Sequence, residues 1–350
     1  MKQQKLPGTN THFIIKDNVL GVISSTDLTV LSSGIYNGGY RKAKAVLNVS
    51  VPDGYSDQHL HDDPMQLVYD AKTNLGITAP YVAMLTAAKV ENMSMVTRQK
   101  DDIYITVIAT AGWRHGESSG EEIQASHSRG TINIIVFLNC NPTDSCLVSL
   151  FLTATEAKTA ALNDYDIRSR YSGDAATGTI TDSLSVATTN QGKTIELGGP
   201  ASPVGQLVAN AVRQAVKEAA DKQEGQHLGR SLSRRLAEHQ LPIEKLAFEL
   251  SKSPVISLGE QEIVAKLQAA LANDSLAAVF LLAAVKMDED CKKNLLPTEL
   301  GDVTSLSVKF GGLLLQQGTV QKDDLPEVNL PPFTKKALHS ILLKSVSPEK

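Results

Sequence analysis

The hydrophobic pattern of this chain changes period once, near residue 225, and that change constrains the fold more than any single motif does. Before it, apolar residues alternate or run continuously in short stretches, as they do in strands: HFIIK, LGVIS, TVLSS, KAVLNVSV, YVAMLTA, SMVTR, IYITVIAT, TINIIVFLN, TDSLSVATT and TIEL. After it, they recur at helical spacing in HLGRSLSRRLAEH, PIEKLAFELSK, EQEIVAKLQAAL and SLAAVFLLAAVKMDEDCKK. A proline-rich passage, LPEVNLPPFTKK, then precedes a short last helix. The chain therefore reads as α+β: mainly antiparallel sheet with packed helices over residues 1–225, then a smaller all-α domain over residues 226–350.

Local signals refine this reading. The turn sequences KDN (Lys16 to Asn18) and RQKDD (Arg98 to Asp102) join neighbouring strands and imply antiparallel pairing. A first helix is expected in DDPMQLVYDAKTNLG, with Asp63 as its cap, Pro64 in its first turn and Gly76 at its end. A second is expected from Asp144 to Asn163 and a third from Val204 to Lys222. With 350 residues, 42% hydrophobic and 21% charged, the chain can bury one large core and a second smaller one, which excludes a disordered or fibrous protein.

A net charge of -4 provides no global basic field, and the run GRSLSRR reads as a solvated helix face, so no nucleic-acid partner is expected. Cys140, Cys146 and Cys291 are odd in number and not spaced for zinc, which suits a reducing compartment. The start MKQQKLPGTN lacks the apolar core of a signal peptide, and LAAVFLLAAV is about half the length that crosses a bilayer. The expectation is a cytoplasmic protein without membrane insertion.

The stretch ATGTITDS (Ala176 to Ser183) raises a chemical question. Read as a strand continuing into LSVATT, it places Thr177, Thr179, Thr181 and Ser183 on one face, and Asp182 on the other with Ile180 and Leu184. A carboxylate among apolar neighbours needs a partner. On the second helix, at 100° per residue, Lys158 falls amid Leu147, Phe151, Ala154 and Ala161, while Glu156 points nearly the opposite way. Lys158 and Asp182 are therefore expected to pair beside the row of threonines. Such a pair either ties helix to sheet or holds and activates a water or a threonine hydroxyl.

Other segments bear on a site. LSSGIYNGGY follows a strand and offers Ser33, Tyr36 and Asn37 among glycines that allow close backbone approach or a plain turn. GTINIIVFLN has the character of a central strand with one polar exception, Asn133. GESSG, next to His115, fits the nucleophile-elbow formula around Ser118, but the polar EEIQASHSRG that follows is not the helix an elbow requires. HLHDD offers His59 and His61 at metal-like spacing, without a matching downstream ligand set. No metal or cofactor is expected.

Taken in order, LSSGIYNGG, VLNVSVP, the DP of HDDPMQL, MLTAA, ATAG, GTINIIV, TATEAKTAAL and ATGTITDS resemble the adenosylcobinamide amidohydrolases, a corrinoid-salvage family, from about Gly21 to Ala220. The resemblance implies hydrolysis of the amide that joins a corrin side chain to aminopropanol, giving adenosylcobyric acid, with the cobalt belonging to the substrate. A corrinoid carries an apolar ring and many carboxamides, so its site should combine a wide cleft with Asn, Thr, Ser and backbone donors. On this reading Asp182 is general base or orienter of water, Lys158 sets its charge, and Thr179 and Thr181 position the water or intermediate. Glu156 of the TEAK element joins the catalytic candidates, and Ser33, Tyr36, Asn37, Asn48, Asn133 and His115 are candidate substrate contacts.

This chain departs from the family pattern after ATAG, where Trp113, Arg114, His115 and Gly116 replace a small residue and Asn-Ala. That points to a different corrinoid, such as an intact cobamide, or to binding without cleavage. Three rivals follow: a non-catalytic corrinoid-binding or delivery protein, an N-terminal-nucleophile hydrolase using Thr177 or Thr179, and a metal-dependent amidase using His59 and His61. Residues 226–350 could form a homodimer, cover the cleft or contact an uptake system, with the homodimer preferred.

Overall fold

The protein is described by a computed structural model, which covers residues 2–52, 63–114, 116–122, 130–225, 229–315 and 328–346. The chain divides into two compact units, Met1–Gly229 and Arg230–Lys350. The first is α+β, built on one curled nine-stranded sheet. Its strands are β1 (Lys2–Lys5), β2 (His12–Lys16), β3 (Val19–Ser32), β4 (Gly39–Ser50), β5 (Tyr81–Thr86), β6 (Ser94–Lys100), β7 (Ile103–Gly112), β8 (Thr131–Leu138) and β10 (Ser183–Thr188). The order runs β1-β2-β3-β10-β8-β7-β6, with β4 paired to β3 and β5. A separate short pair joins β9 (Asn141–Pro142) to β11 (Thr194–Ile195).

The KDN and RQKDD turns make the hairpins their residues dictate. Asp17, Asn18 and Asp101 adopt φ of 50°, 61° and 52°, a conformation Asn and Asp tolerate better than most residues. Within the large sheet most pairings are antiparallel, but β4 with β5 and β8 with β10 are parallel. Each parallel pair is bridged by a helix, because a parallel connection needs a crossover. These helices are α1 (Pro64–Asn74) and α2 (Asp144–Asp164). Two expected strands, LGVIS and TVLSS, are one strand, β3, which continues through a register shift between Ile23 and Leu28.

The apolar run of β8 is explained by burial on both faces. Ile132, Ile134 and Val136 pack with Leu150, Ala154 and Ala161 of α2 and with Val208, Val212 and Ala215 of α3 (Pro203–Glu224). Ile135 and Phe137 turn the other way, into the curl, and meet Phe13, Val22, Val30, Val46 and Met84. α1 covers the outer side of β4 and β5 through Val68 and Ala71. Thr143 caps α2 by accepting from Cys146 N at 3.2 Å, and Ser202 caps α3 by accepting from Gly205 N at 3.0 Å. Asp63 stands at the start of α1 without a side-chain cap bond, whereas Gly76 ends that helix at φ 64°, as expected of a residue without a β-carbon.

The second unit is helical: α4 (Leu232–Glu238), α5 (Ile243–Ser251), α6 (Glu260–Asn273), α7 (Ser275–Lys292), α8 (Val303–Leu314) and α9 (Pro332–Val346). Leu246, Leu250, Ile263, Leu281, Phe333 and Leu338 form its own core. Among the described residues, no single helix is long and apolar enough to cross a membrane.

Candidate active site

Lys158 and Asp182 meet as their sequence positions require. Lys158 Nζ donates to Asp182 Oδ2 at 2.5 Å, and each side chain is 14% exposed. The local backbone differs from the expected strand: β10 begins only at Ser183, and the residues before it form a loop. That loop, rather than a period-two face, directs Asp182 inward. Thr179 N reaches Asp182 Oδ2 at 3.0 Å, the Thr179 hydroxyl reaches Oδ1, and Ile132 N reaches Oδ1 at 2.9 Å. Two donors on each oxygen make this a well-satisfied carboxylate.

Gly178 is what lets the pair form. A β-carbon there would lie 2.5 Å from Asp182 Oδ2 and 2.7 Å from Lys158 Nζ. The loop is tied down on both sides: Thr159 Oγ1 donates to Thr177 O at 2.9 Å, and Thr181 Oγ1 lies 2.6 Å from Thr131 Oγ1 and donates to Gly130 O at 3.1 Å.

Behind Asp182 runs a buried polar chain. Asn133 Oδ1 accepts from Ser183 N at 3.0 Å, while Asn133 Nδ2 donates to Asn48 Oδ1 at 2.8 Å and to Leu85 O at 2.7 Å. Asn48 Nδ2 donates onward to Thr110 Oγ1 at 2.9 Å. Asn48 is 2% exposed and Asn133 1%, so these amides hold β4, β5 and β8 in register and are not presented to a substrate, which corrects their assignment as carboxamide contacts.

Ser33 is tied to the strand after Asp182. Its hydroxyl accepts from Leu184 N at 3.0 Å, which joins the glycine loop to the strand that follows Asp182. Tyr36 and Asn37 instead secure that loop to β5. Tyr36 N donates to Ala83 O and Ala83 N to Tyr36 O, both at 3.1 Å, and Asn37 Nδ2 donates to Tyr81 O at 3.0 Å. The Tyr36 ring stacks on Tyr81 at 4.7 Å and meets the edge of Tyr69 at 5.8 Å. Glu156 is exposed on α2, away from the ion pair, as its angle on the helix dictates.

His115, His59 and His61 lie outside the described residues. Trp113, the start of the departure from the family pattern, is 1% exposed and packs edge-on against Tyr165 at 5.3 Å, so its role is core packing. Ser118 is followed by a turn rather than a helix, which removes the elbow geometry. No group of three or more potential metal-ligating side chains occurs among the described residues.

Glu117 lies beside the Asp182 loop without any sequence signal that marks it. Its backbone bridges Gly178, with Glu117 N donating to Gly178 O and Thr177 N to Glu117 O, both at 2.8 Å. The residue is 7% exposed, and Oε1 has no hydrogen-bond partner among the described residues. Burial pushes its carboxyl above the usual range, with the Glu121 and Asp182 charges adding to the effect and Arg170 opposing it. Burial acts on Glu121 too, but hydrogen bonds from the Ser169 and Ser172 hydroxyls, each 2.6 Å, and from Ser118 N outweigh it and hold that carboxyl below the usual range. Nothing in the spacing of GESSG marks its Glu as buried, because the bridge to Gly178 spans sixty-one residues of chain, from 117 to 178.

The sequence model of the adenosylcobinamide amidohydrolases matches residues 4–228, the sheet apart from the first two residues of β1, and the helices packed on it. This chain belongs to the adenosylcobinamide amidohydrolase family. A protein of Methanosarcina mazei named adenosylcobinamide amidohydrolase is 29% identical over 197 residues, covering 56% of this chain and 84% of that one. An uncharacterized protein of Methanocaldococcus jannaschii, MJ1613, is 30% identical over 198 residues, covering 50% of this chain and 76% of that one. Among solved structures, the PH0078 protein of Pyrococcus horikoshii aligns at 11% identity with a TM-score of 0.32, over 62% of this chain and 80% of that one. The adenosylcobinamide amidohydrolase match spans Lys158, Asp182, Thr179, Thr181 and Glu117 and stops before the helical unit.

Proposed function

We propose that residues 4–228 hydrolyse the amide between a corrin side chain and aminopropanol in adenosylcobinamide or a related cobamide, releasing adenosylcobyric acid for cobamide salvage. The observation that carries this reading is the buried Lys158–Asp182 pair, held by Gly178 and Thr179 inside the segment that matches the family. Exposed Ile35 and Ile180 stand on the two loops joined by Ser33 and Leu184, and they supply apolar surface for a corrin ring.

With four donors already on it, Asp182 acts as orienter. It fixes Lys158 and Thr179, and the ammonium has two further N–H bonds with which to stabilise the oxyanion of a tetrahedral intermediate. The Thr179 and Thr181 hydroxyls position the water. The protein works as a cytoplasmic enzyme that needs no resident metal, and the helical unit pairs two copies of the chain.

The test is incubation of the purified full chain with adenosylcobinamide, with and without a chelator, followed by mass spectrometry. Adenosylcobyric acid in both samples supports the reading. Acid that disappears with chelator transfers the chemistry to a metal site, and co-eluting corrinoid without acid replaces the enzyme by a corrinoid-binding protein.

A further inference from the structure

A buried carboxylate oxygen left without a hydrogen bond is destabilising, so a fold keeps one where the group acts or is protonated. Glu117 meets that description in this unit: it is 7% exposed, and its Oε1 has no hydrogen-bond partner among the described residues. Its place is equally specific. The backbone bridge to Gly178 sets it beside the one residue whose missing β-carbon admits both Asp182 Oδ2 and Lys158 Nζ.

The other nearby carboxylates are engaged. Asp182 takes Lys158 Nζ, Thr179 N, the Thr179 hydroxyl and Ile132 N, and Glu121 takes two serine hydroxyls and Ser118 N. Proton transfer needs a lone pair that is free until substrate and water arrive. We infer that Glu117 is the proton-transfer residue of this site, taking a proton from the attacking water and returning it to the leaving amine. This rests on the amide-hydrolase reading above.

The step balances without any further reactant. The Glu117 carboxylate accepts one proton of water as the water oxygen bonds to the amide carbon, and the carbonyl electron pair moves to oxygen. When that pair returns, the C–N bond breaks, and nitrogen takes the proton back from Glu117. The products are a carboxylic acid and a primary amine, with Glu117 restored. A carboxyl raised by burial is a stronger base once ionised than an exposed glutamate, which suits it to this exchange.

The experiment compares full-length wild type with Glu117→Gln and Glu117→Ala, measuring acid release from adenosylcobinamide across pH 5 to 9 and corrinoid retention by visible absorbance. Removal of a general acid–base group lowers turnover by about 10²–10⁴-fold. The expected result is a loss of that order in Glu117→Gln with corrinoid retention unchanged, and partial recovery of Glu117→Ala on adding formate. Turnover within about tenfold of wild type in Glu117→Gln, or loss in Glu117→Ala that formate does not restore, overturns the assignment while the function stands. Absence of acid from the wild type overturns both. Because glutamine keeps the shape of the side chain, the melting curve of Glu117→Gln separates a folding defect from a chemical one.

Discussion

The Lys158–Asp182 pair can be weighed by a double-mutant cycle. Lys158→Met keeps the apolar stem on α2 but leaves the Asp182 carboxylate with Thr179 N, the Thr179 hydroxyl and Ile132 N as its donors and no counter-charge. Removing one partner of a buried pair costs about 3–5 kcal/mol. Here each side chain is 14% exposed and three donors remain, so the lower end, about 3 kcal/mol, applies. Asp182→Asn costs less, about 2 kcal/mol, because the lysine can carry its ammonium outward on a flexible stem. The double variant leaves no buried charge, so its loss should fall about 2 kcal/mol short of the two single losses combined. Urea unfolding followed by Trp113 fluorescence is the assay, since it is the chain's one tryptophan and it lies in the core shared by the sheet, α2 and α3. A coupling below about 0.5 kcal/mol would refute the claim that burial, and not mere proximity, makes this pair strong.

Gly178→Ala introduces a β-carbon 2.5 Å from an oxygen of a carboxylate fixed by four donors, two on each oxygen, so stability should fall by about 1–3 kcal/mol, together with turnover. A melting temperature and acid release equal to wild type would show that the loop has room to spare. Asp164 offers a pH test. The Arg213 guanidinium, with help from Lys217, outweighs burial and lowers its carboxyl to about 2. Such a group contributes stability above the ordinary carboxyl range and loses it as pH falls toward 2, so Asp164→Asn should be weaker than wild type at pH 6 and equal to it near pH 2. The shift corresponds to about 2 kcal/mol, which screening at this partly exposed helix surface reduces to about 1 kcal/mol. An unchanged difference between pH 6 and pH 2 in urea titrations would remove Asp164 from the account.

Much of the site was legible in the sequence where a single local rule decides the outcome. A lysine on the small-residue face of an amphipathic helix and an aspartate among apolar neighbours both demanded partners, and they became each other's. The same logic failed for Asn48 and Asn133. Their side-chain chemistry suits a carboxamide ligand, but each found the other across the curl of the sheet. It failed for the run before β10 as well, where alternating threonines suggested a strand and the chain forms a loop that donates to Asp182.

What the sequence determined by itself is set by short-range physics: the change of period near residue 225, the turns at Asp17–Asn18 and Asp101, the starts of α2 and α3, and the need of Lys158 and Asp182 for opposite charges. What only the tertiary structure decided is which distant backbones approach. The crossover that makes β8 and β10 parallel brings Asp182 level with Ile132, and an isolated bridge places Glu117 against Gly178. Burial and hydrogen-bond satisfaction are properties of that assembled surface, so the Glu117 oxygen left without a hydrogen bond among the described residues has no signature along the chain.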